Sequence, residues 1–340
     1  MTRDDSIEEF LRLNGCFTTQ RAPLAGDASG RRYERLTATN GGTYVLMDAP
    51  PDTGERIDPF VRVAAHLSRI GLSAPQIHAV DRPNGLILME DLGDAILARL
   101  IERKPDLEAP LYGHVVETLL ELQRHPLPGS LPEFGPSTMA KATDLAISWY
   151  ATGMGAIPRS SDTEQLADLT LTALASLEDA PKVLALRDFH AENLIWLPDR
   201  TGSARIGLLD FQDAFAGHPA YDLVSLLRDA RRNVSPDLRH ELTRHFAKSA
   251  GFDIEPFERA CATLAAQRNL RILGVFARLS MHFGKGHYVD LIPRVWAYLQ
   301  QDLTHPALAS LQRFVQDTLP EPTPDRLRSL KDLCGTVPMP

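Results

Sequence analysis

The chain changes from mainly strand-like to mainly helical patterning at Asp91-Leu92-Gly93-Asp94, and that switch constrains its architecture more than any other feature. Before it, short apolar runs alternate with small-residue turns. Ser6 to Leu13 reads as a short amphipathic helix. Gly26-Asp27-Ala28-Ser29-Gly30 is a turn, and the alternating stretch through Arg31, Arg32 and Tyr33 to Leu36 is a strand. Gly41-Gly42 turns the chain into Thr43-Tyr44-Val45-Leu46-Met47, which ends at Pro50-Pro51. Phe60, Val63, Ala64 and Leu67 then repeat at helical spacing behind Pro59, a residue suited to a first helical turn. Gln76 to Val80 and Gly85 to Met89 read as two more strands. After the switch, helical patterns cover about 95–103, 109–124, 138–151, 162–177, 219–232, 236–250, 256–283, 291–301 and 307–318. One β-like interruption runs from Lys182 to Leu186, through Ile195-Trp196-Leu197, to Ile206-Gly207-Leu208-Leu209.

This is an α+β plan. A β-rich N-terminal lobe is expected over 1–93, with a hinge at 90–93. A large helical lobe follows over 94–320. A proline-rich arm spans 321–340, where Leu327, Leu330 and Leu333 could dock as a short helix. Ligand sites tend to form between such lobes.

Bulk properties narrow the function classes. The 340 residues carry 36 Lys and Arg against 44 Asp and Glu, a net charge of −8. That balance removes the electrostatic reason to expect a nucleic-acid partner. The three cysteines, Cys16, Cys261 and Cys334, are too far apart in sequence for a zinc ribbon or a CxxC redox site. Their odd number suits a reducing compartment. The acidic start lacks the apolar core of a secretory signal, and no apolar run reaches the roughly 18 residues of a membrane span. A cytoplasmic protein with no membrane and no obligate protein partner is the expectation.

The chemistry concentrates in Arg187-Asp188-Phe189-His190-Ala191-Glu192-Asn193-Leu194-Ile195 and in Leu208-Leu209-Asp210-Phe211. An aspartate, an asparagine five residues later, an apolar strand, and an aspartate closing a second apolar strand are laid out as in a kinase catalytic loop. There the loop aspartate accepts the proton of the attacking hydroxyl. The asparagine and the second aspartate hold Mg²⁺, for which short oxygen-bearing side chains are suited. The competing reading makes Asp188 and Asn193 turn residues; the complete ordered set favours catalysis. Downstream, Asp222 opens an apolar helix. It is either a carboxylate placed by the helix dipole or a buried anchor for the catalytic-loop backbone, and the anchor is favoured. No P-loop signature, no nucleophile elbow and no zinc-binding histidine pair occurs.

The strings R-D-F-H-A-E-N-L and L-D-F-Q-D-A-F-A-G-H-P-A-Y-D-L resemble the aminoglycoside phosphotransferase and choline kinase superfamily. G-D-A-S-G-R-R-Y at 26–33, V-L-M-D-A-P-P at 45–51, E-D-L-G-D at 90–94 and L-D-F-Q-D-A at 209–214 narrow the resemblance. They are similar to the bacterial N-acetylmuramate/N-acetylglucosamine anomeric kinases of cell-wall recycling. The likeness runs from about residue 6 to 320. It implies a bilobal, protein-kinase-like fold and ATP-dependent phosphorylation of the C1 hydroxyl of an amino sugar. Asp188 is then the catalytic base, Asn193 and Asp210 the Mg²⁺ ligands, and His190 a structural residue of the loop. Gly26, Asp27, Ala28, Ser29 and Gly30 cover the ATP phosphates, with Arg31 and Arg32 beside them. Glu90 and Leu92 offer hinge groups to adenine. Two other readings remain: a kinase for another small alcohol (aminoglycoside, choline or homoserine), and a nucleotide-binding pseudokinase that regulates a partner.

One departure is informative. Kinases of this superfamily usually carry a basic residue on the third strand and a glutamate on the next helix. Here Met47 holds the strand position, and the helix from Pro59 to Ile70 has no glutamate. Both partners are absent together, which fits replacement, since a lone buried charge is costly. Arg31 and Arg32 are the candidates to take over. Leu186 likewise stands where histidine commonly opens the loop, and packing is expected to replace it. For the sugar, Arg271 and Arg278 could face a carboxylate or remain solvated. Trp149 and Tyr150 could stack on a ring or pack in the core. Asp213 could touch substrate or cap its loop.

Overall fold

The structure is a computed structural model that describes residues 2–16, 18–24, 30–39, 41–129, 131–132 and 134–339. The chain divides into two compact units, Met1–Leu131 with Leu186–Ala214, and Pro132–Ala185 with Phe215–Pro340.

The first unit is built on a five-stranded antiparallel sheet. Its strands are β1 (Thr18–Pro23), β2 (Arg32–Ala38), β3 (Thr43–Asp48), β4 (Ile77–Asp81) and β5 (Leu86–Glu90), in the order β1-β2-β3-β5-β4. β1 carries no apolar alternation and ends in proline, which suits an edge strand and explains why sequence patterning passes over it. Helix α1 (Arg3–Leu13) is opened by a capping box: Asp5 N–H donates to Thr2 Oγ1 at 3.2 Å, and Thr2 N–H to Asp5 Oδ2 at 2.7 Å. Its Ile7, Phe10 and Leu11 pack on Leu36, Leu46, Leu86 and Leu88, one face of the sheet. Asp48, at the end of β3, accepts from Arg3 Nε at 3.0 Å on that same side. The other face is left to α2 (Asp58–Arg69) and to the site described below. The β4–β5 turn works only with Gly85, whose φ is 64° and whose added Cβ would lie 2.0 Å from Ala49 O. Helices α3 (Leu97–Arg103) and α4 (Glu108–Arg124) complete this unit around a small hairpin, Leu194–Trp196 with Ile206–Leu208. Thus the catalytic segment packs within the same compact unit as the sheet.

The second unit is mainly helical: α5 (Pro136–Lys141), α6 (Asp162–Ala175), α7 (Ala220–Leu227), α8 (Pro236–Ala250), α9 (Ile254–Met281), α10 (Ile292–Leu303), α11 (Ala309–Thr318) and α12 (Pro324–Asp332). A short strand pair, Val183–Ala185 with Phe215–Gly217, belongs to it. α9 is its axis. Ala266, Leu270, Leu273 and Ala277 are buried against a single core. At Gly274 the helix meets Leu145 so closely that an added Cβ would lie 2.2 Å from that residue's carbonyl carbon. The expected C-terminal arm is corrected in part. Thr323 caps α12, proline sits in its first turn, and Leu330 is fully buried. Among the described residues, no helix is long and apolar enough to cross a membrane.

Candidate active site

The hairpin Leu194–Trp196 with Ile206–Leu208 sets the geometry. Its register pairs Leu194 with Leu208, so Asn193, just before the first strand, and Asp210, just after the second, emerge at one end. Leu209 N–H donates to Asn193 O at 3.0 Å and extends the ladder toward that end. The Asn193 amide then ties the constellation together. Its Nδ2 donates to the carbonyl oxygen of Asp188 at 2.9 Å and lies 3.3 Å from Asp210 Oδ2. Gln212 Nε2 donates to the other Asp210 oxygen at 2.5 Å. Phe211 is fully buried and stacks on Phe60 of α2, with centroids 4.8 Å apart. Ser73, which follows α2, supports the hairpin twice: its carbonyl accepts from Leu208 N–H at 2.8 Å, and its hydroxyl donates to Ala204 O at 2.6 Å.

Two non-glycine residues have left-handed backbones, Arg187 at φ 76° and Asp210 at φ 55°. Each costs about 1–2 kcal/mol. Arg187 precedes the Asp188–Asn193 loop and Asp210 opens the turn after the hairpin; such strain concentrates at functional sites. Leu186, at the position of the usual histidine, is 2% exposed. Hydrocarbon packing fills the place of a hydrogen-bonding ring.

A cavity of about 290 Å³ lies against this end of the hairpin. Val45 and Met89 from the sheet, Leu92 from the hinge and Leu209 supply apolar walls, and Asn193 and Asp210 supply the polar end. Asp188 is half-buried and is not among the lining residues described. The segment 90–94 is held from both sides. Arg35 donates to Asp91 Oδ1 at 3.0 Å and to Asp94 Oδ2 at 2.9 Å, and the Asp91 carboxylate raises the Arg35 pKa above its ordinary value. Asp91 also accepts from Gly93 N–H at 3.0 Å, a local turn bond. The Glu90 side chain ion-pairs with Arg200 and accepts from Gln76 N–H at 3.2 Å. It is engaged within the protein, so what Glu90 can offer a base is backbone.

Arg31 ion-pairs with Glu55 at 2.8 Å. Arg32 is exposed, stands opposite Asp48 in register, and lies on the opposite face of β2 from Tyr33 and Arg35, which line the cavity. Gly26, Asp27, Ala28 and Ser29 lie outside the described residues. Sequence reasoning missed Glu55, Arg35 and Arg200. Their pairings join separated stretches of chain and leave no local signal.

Asp213 is 57% exposed and lies 3.7 Å from the Arg187 guanidinium. His190 Nε2 is 3.5 Å from Asn193 Nδ2, and its carbonyl accepts from Asn193 N–H at 2.9 Å, which is loop scaffolding. The remaining candidates belong to the second unit. Asp222 is 1% exposed within α7. Arg271 and Arg278 are half-buried on α9. The stacking role for Trp149 and Tyr150 is corrected: both rings are core. Trp149 is 5% exposed and Tyr150 fully buried, with its hydroxyl donating to Pro320 O at 2.6 Å and its ring stacked on Trp296.

Asn193 and Asp210 bring an amide and a carboxylate within reach of one cation. Hard oxygen donors, few in number, fit Mg²⁺, which fills its shell with phosphate and water. A loop aspartate, this pair, and an apolar cavity under an antiparallel sheet define a phosphotransferase of the kinase type. Residues 20–259 match the model of the phosphotransferase enzyme family, and the chain belongs to that family. It is 38% identical to the N-acetylmuramate/N-acetylglucosamine kinase of Caulobacter vibrioides, over 94% of this chain and 98% of that protein. Its fold is that of aminoglycoside 2'-phosphotransferase-IIIa, solved as a GDP complex (TM-score 0.62, 14% identity, 89% of this chain and 99% of that one). The choline kinase of Streptococcus pneumoniae has the same fold (TM-score 0.57, 16% identity, 91% and 100% covered).

Proposed function

We propose that the chain transfers the γ-phosphoryl group of ATP to the anomeric C1 hydroxyl of N-acetylmuramic acid and N-acetylglucosamine, in the cytoplasm. The observation that carries the substrate class is the near full-length likeness to the Caulobacter vibrioides enzyme of that name. Residues 1–93 act as the nucleotide lobe with the hinge at 90–93, and 94–320 as the helical lobe. A small-molecule amino sugar is the partner; nucleic acid, membrane and other proteins have no part in the reading.

Asp188 orients the C1 hydroxyl and takes its proton as that oxygen attacks the γ-phosphorus. The bond to the bridging oxygen breaks, and ADP leaves with the electron pair. A hemiacetal hydroxyl is more acidic than an ordinary alcohol, so a carboxylate suffices as base. Asn193 and Asp210 would hold Mg²⁺, which would supply positive charge to offset that of the ATP phosphates. Val45 and Met89, a cross-strand pair on one sheet face, cover one side of the base, and the Glu90 carbonyl and Leu92 backbone read its edge.

Arg31 takes the part of the missing strand cation. Tyr33 and Arg35 face the cavity, and alternate strand residues share a face, which puts Arg31 on the same side. Tyr33 pairs with Met47, so Arg31, just before β2 begins, stands two residues beyond the position where the usual basic residue would be. Met47 itself is fully buried. Glu55 replaces the helix glutamate from the segment that precedes α2.

The test is ATP consumption across amino sugars and cationic alcohols, with ³¹P NMR locating the new phosphate. Turnover with the two N-acetylated sugars and a phosphate coupled to the anomeric proton is expected. Phosphate at C6, or turnover only with a cationic alcohol, overturns the reading.

A further inference from the structure

The second unit contains a cavity of its own, about 280 Å³, between α8, α9 and the end of α10. Arg228, Arg239, His240, Thr243, Glu258 and His305 are among its lining residues. The two guanidiniums are not equally satisfied. Arg228 is matched by Asp302, whose carboxylate is 1% exposed and accepts from Arg228 Nε at 2.9 Å and Nη2 at 2.6 Å. Asn269 Nδ2, 3.3 Å from Asp302 Oδ2, takes up more of that carboxylate's capacity. Arg239 is 7% exposed, yet its hydrogen bonds end on neutral oxygens: Val234 O at 2.8 Å and Gln301 Oε1 at 2.8 Å. Both guanidiniums lie over the ring of Tyr298, at 5.7 Å for Arg228 and 5.1 Å for Arg239.

A buried cation in this setting is electrostatically under-compensated. Burial first, and the Arg228 charge second, push the Arg239 pKa below its ordinary value, and Tyr298 and Asp302 offset them only in part. Cys261, also in the lining, adds no negative charge, because burial holds its thiol up at about 12. Glu258 stands at the rim, half-exposed and 3.8 Å from His240 Nδ1. An anion entering the cavity would meet a guanidinium that already faces it. The ring of His240 and the Nε2 edge of His305, whose Nδ1 accepts from Ala307 N–H at 3.2 Å, offer further donors. A tetrahedral oxyanion, with more acceptor sites than a carboxylate, uses such a set best.

We propose that this cavity binds a phosphate group, with Arg239 as its principal ligand, at a site distinct from the phosphotransfer cavity of the first unit. The shared chemistry is a phosphate dianion, carried either as inorganic phosphate or as a small phosphomonoester.

The experiment titrates the full chain with inorganic phosphate and, separately, with glucose 1-phosphate. A non-hydrolysable ATP analogue is present throughout, and binding is read by calorimetry and thermal shift. Wild type binds phosphate, and Arg239→Gln weakens it about tenfold or more, the loss of one charge-assisted hydrogen-bonding partner. Glu258→Gln, which removes the rim carboxylate, tightens it several-fold. Glucose 1-phosphate binding more tightly than phosphate identifies a phosphomonoester site; equal binding identifies a free-phosphate site. No binding, or equal binding by wild type and Arg239→Gln, overturns the proposal. If Arg239→Gln fails to fold, an unchanged affinity in Glu258→Gln overturns it. These contrasts alter only the second unit's cavity, so they stand apart from any failure of the kinase reading.

Discussion

One carboxylate fixes both the backbone and the side chain where β2 begins: Glu55 pairs with the Arg31 guanidinium at 2.8 Å and accepts from Gly30 N–H at 3.1 Å. Both side chains are largely buried, at 9% and 18% exposure, so the pair is shielded from salt. Glu55→Gln keeps the shape and removes the charge. The KM for ATP is expected to rise about tenfold while the KM for sugar stays within about twofold, with Glu55→Asp restoring part of the loss. Steady-state kinetics with each substrate varied in turn checks this. Equal rises in both constants would mean that the pair is general scaffolding.

Asp188 has a backbone role as well as a side-chain one, since its carbonyl oxygen takes the Asn193 amide. Asp188→Asn leaves that bond intact. Turnover is therefore expected to fall by about 10²–10⁴-fold with nucleotide affinity unchanged. Rapid-quench turnover, together with titration of a fluorescent nucleotide, measures the two separately. Retained turnover would remove Asp188 from the role of base.

His218 gives the second unit an acid sensitivity. Its Nδ1 accepts from Ala220 N–H at 3.0 Å, which requires that nitrogen to be unprotonated. Burial, aided by Lys182, pushes its pKa down from 6.5 to about 4. The folded-state value is depressed, so the contribution is complete above 6.5. It declines as pH falls because the unfolded chain protonates first, and it is gone below about 4. The loss is at most about 3 kcal/mol. Denaturant midpoints measured from pH 7 to 4 should fall less steeply in His218→Asn than in wild type. Parallel slopes would contradict the assignment.

Gly274→Ala forces a methyl group into the backbone of Leu145, which cannot yield without moving the segment ahead of the π-helical turn at Ala146–Ala151. A destabilisation of about 1–3 kcal/mol or more is expected. Thermal melting of the variant checks it, and an unchanged melting temperature would refute the close contact.

The candidate catalytic residues were legible because their spacing is local in sequence. Asp188, Asn193 and Asp210 lie within one short stretch, and two apolar strands between turns are enough to bring Asn193 and Asp210 to the same end of a hairpin. The sheet strands and most helices were legible too, since burial on one face imprints a period of two or of 3.6. Trp149 and Tyr150 show the limit of that signal. An aromatic pair at a helix end reads the same whether it meets a sugar or a core, and only the position of Pro320 and Trp296 decides. α12 shows another: proline-rich composition suggests an extended arm, but a buried Leu330 and a capping Thr323 make a helix.

The order of the motifs by itself determined the family and marked out the proposed base and metal pair, because a linear spacing of short polar residues and strands encodes them. It also revealed that the usual strand cation is missing at Met47. The Arg31–Glu55 pair, proposed to take its place, was decided only by tertiary structure. Glu55 lies 24 residues beyond Arg31 in sequence, with no periodicity linking them. Arg31 lies two residues ahead of Tyr33, the partner of Met47, and the loop after β3 brings a carboxylate to it. Coulomb attraction acts on distance through space, and that distance exists only once the strands have paired.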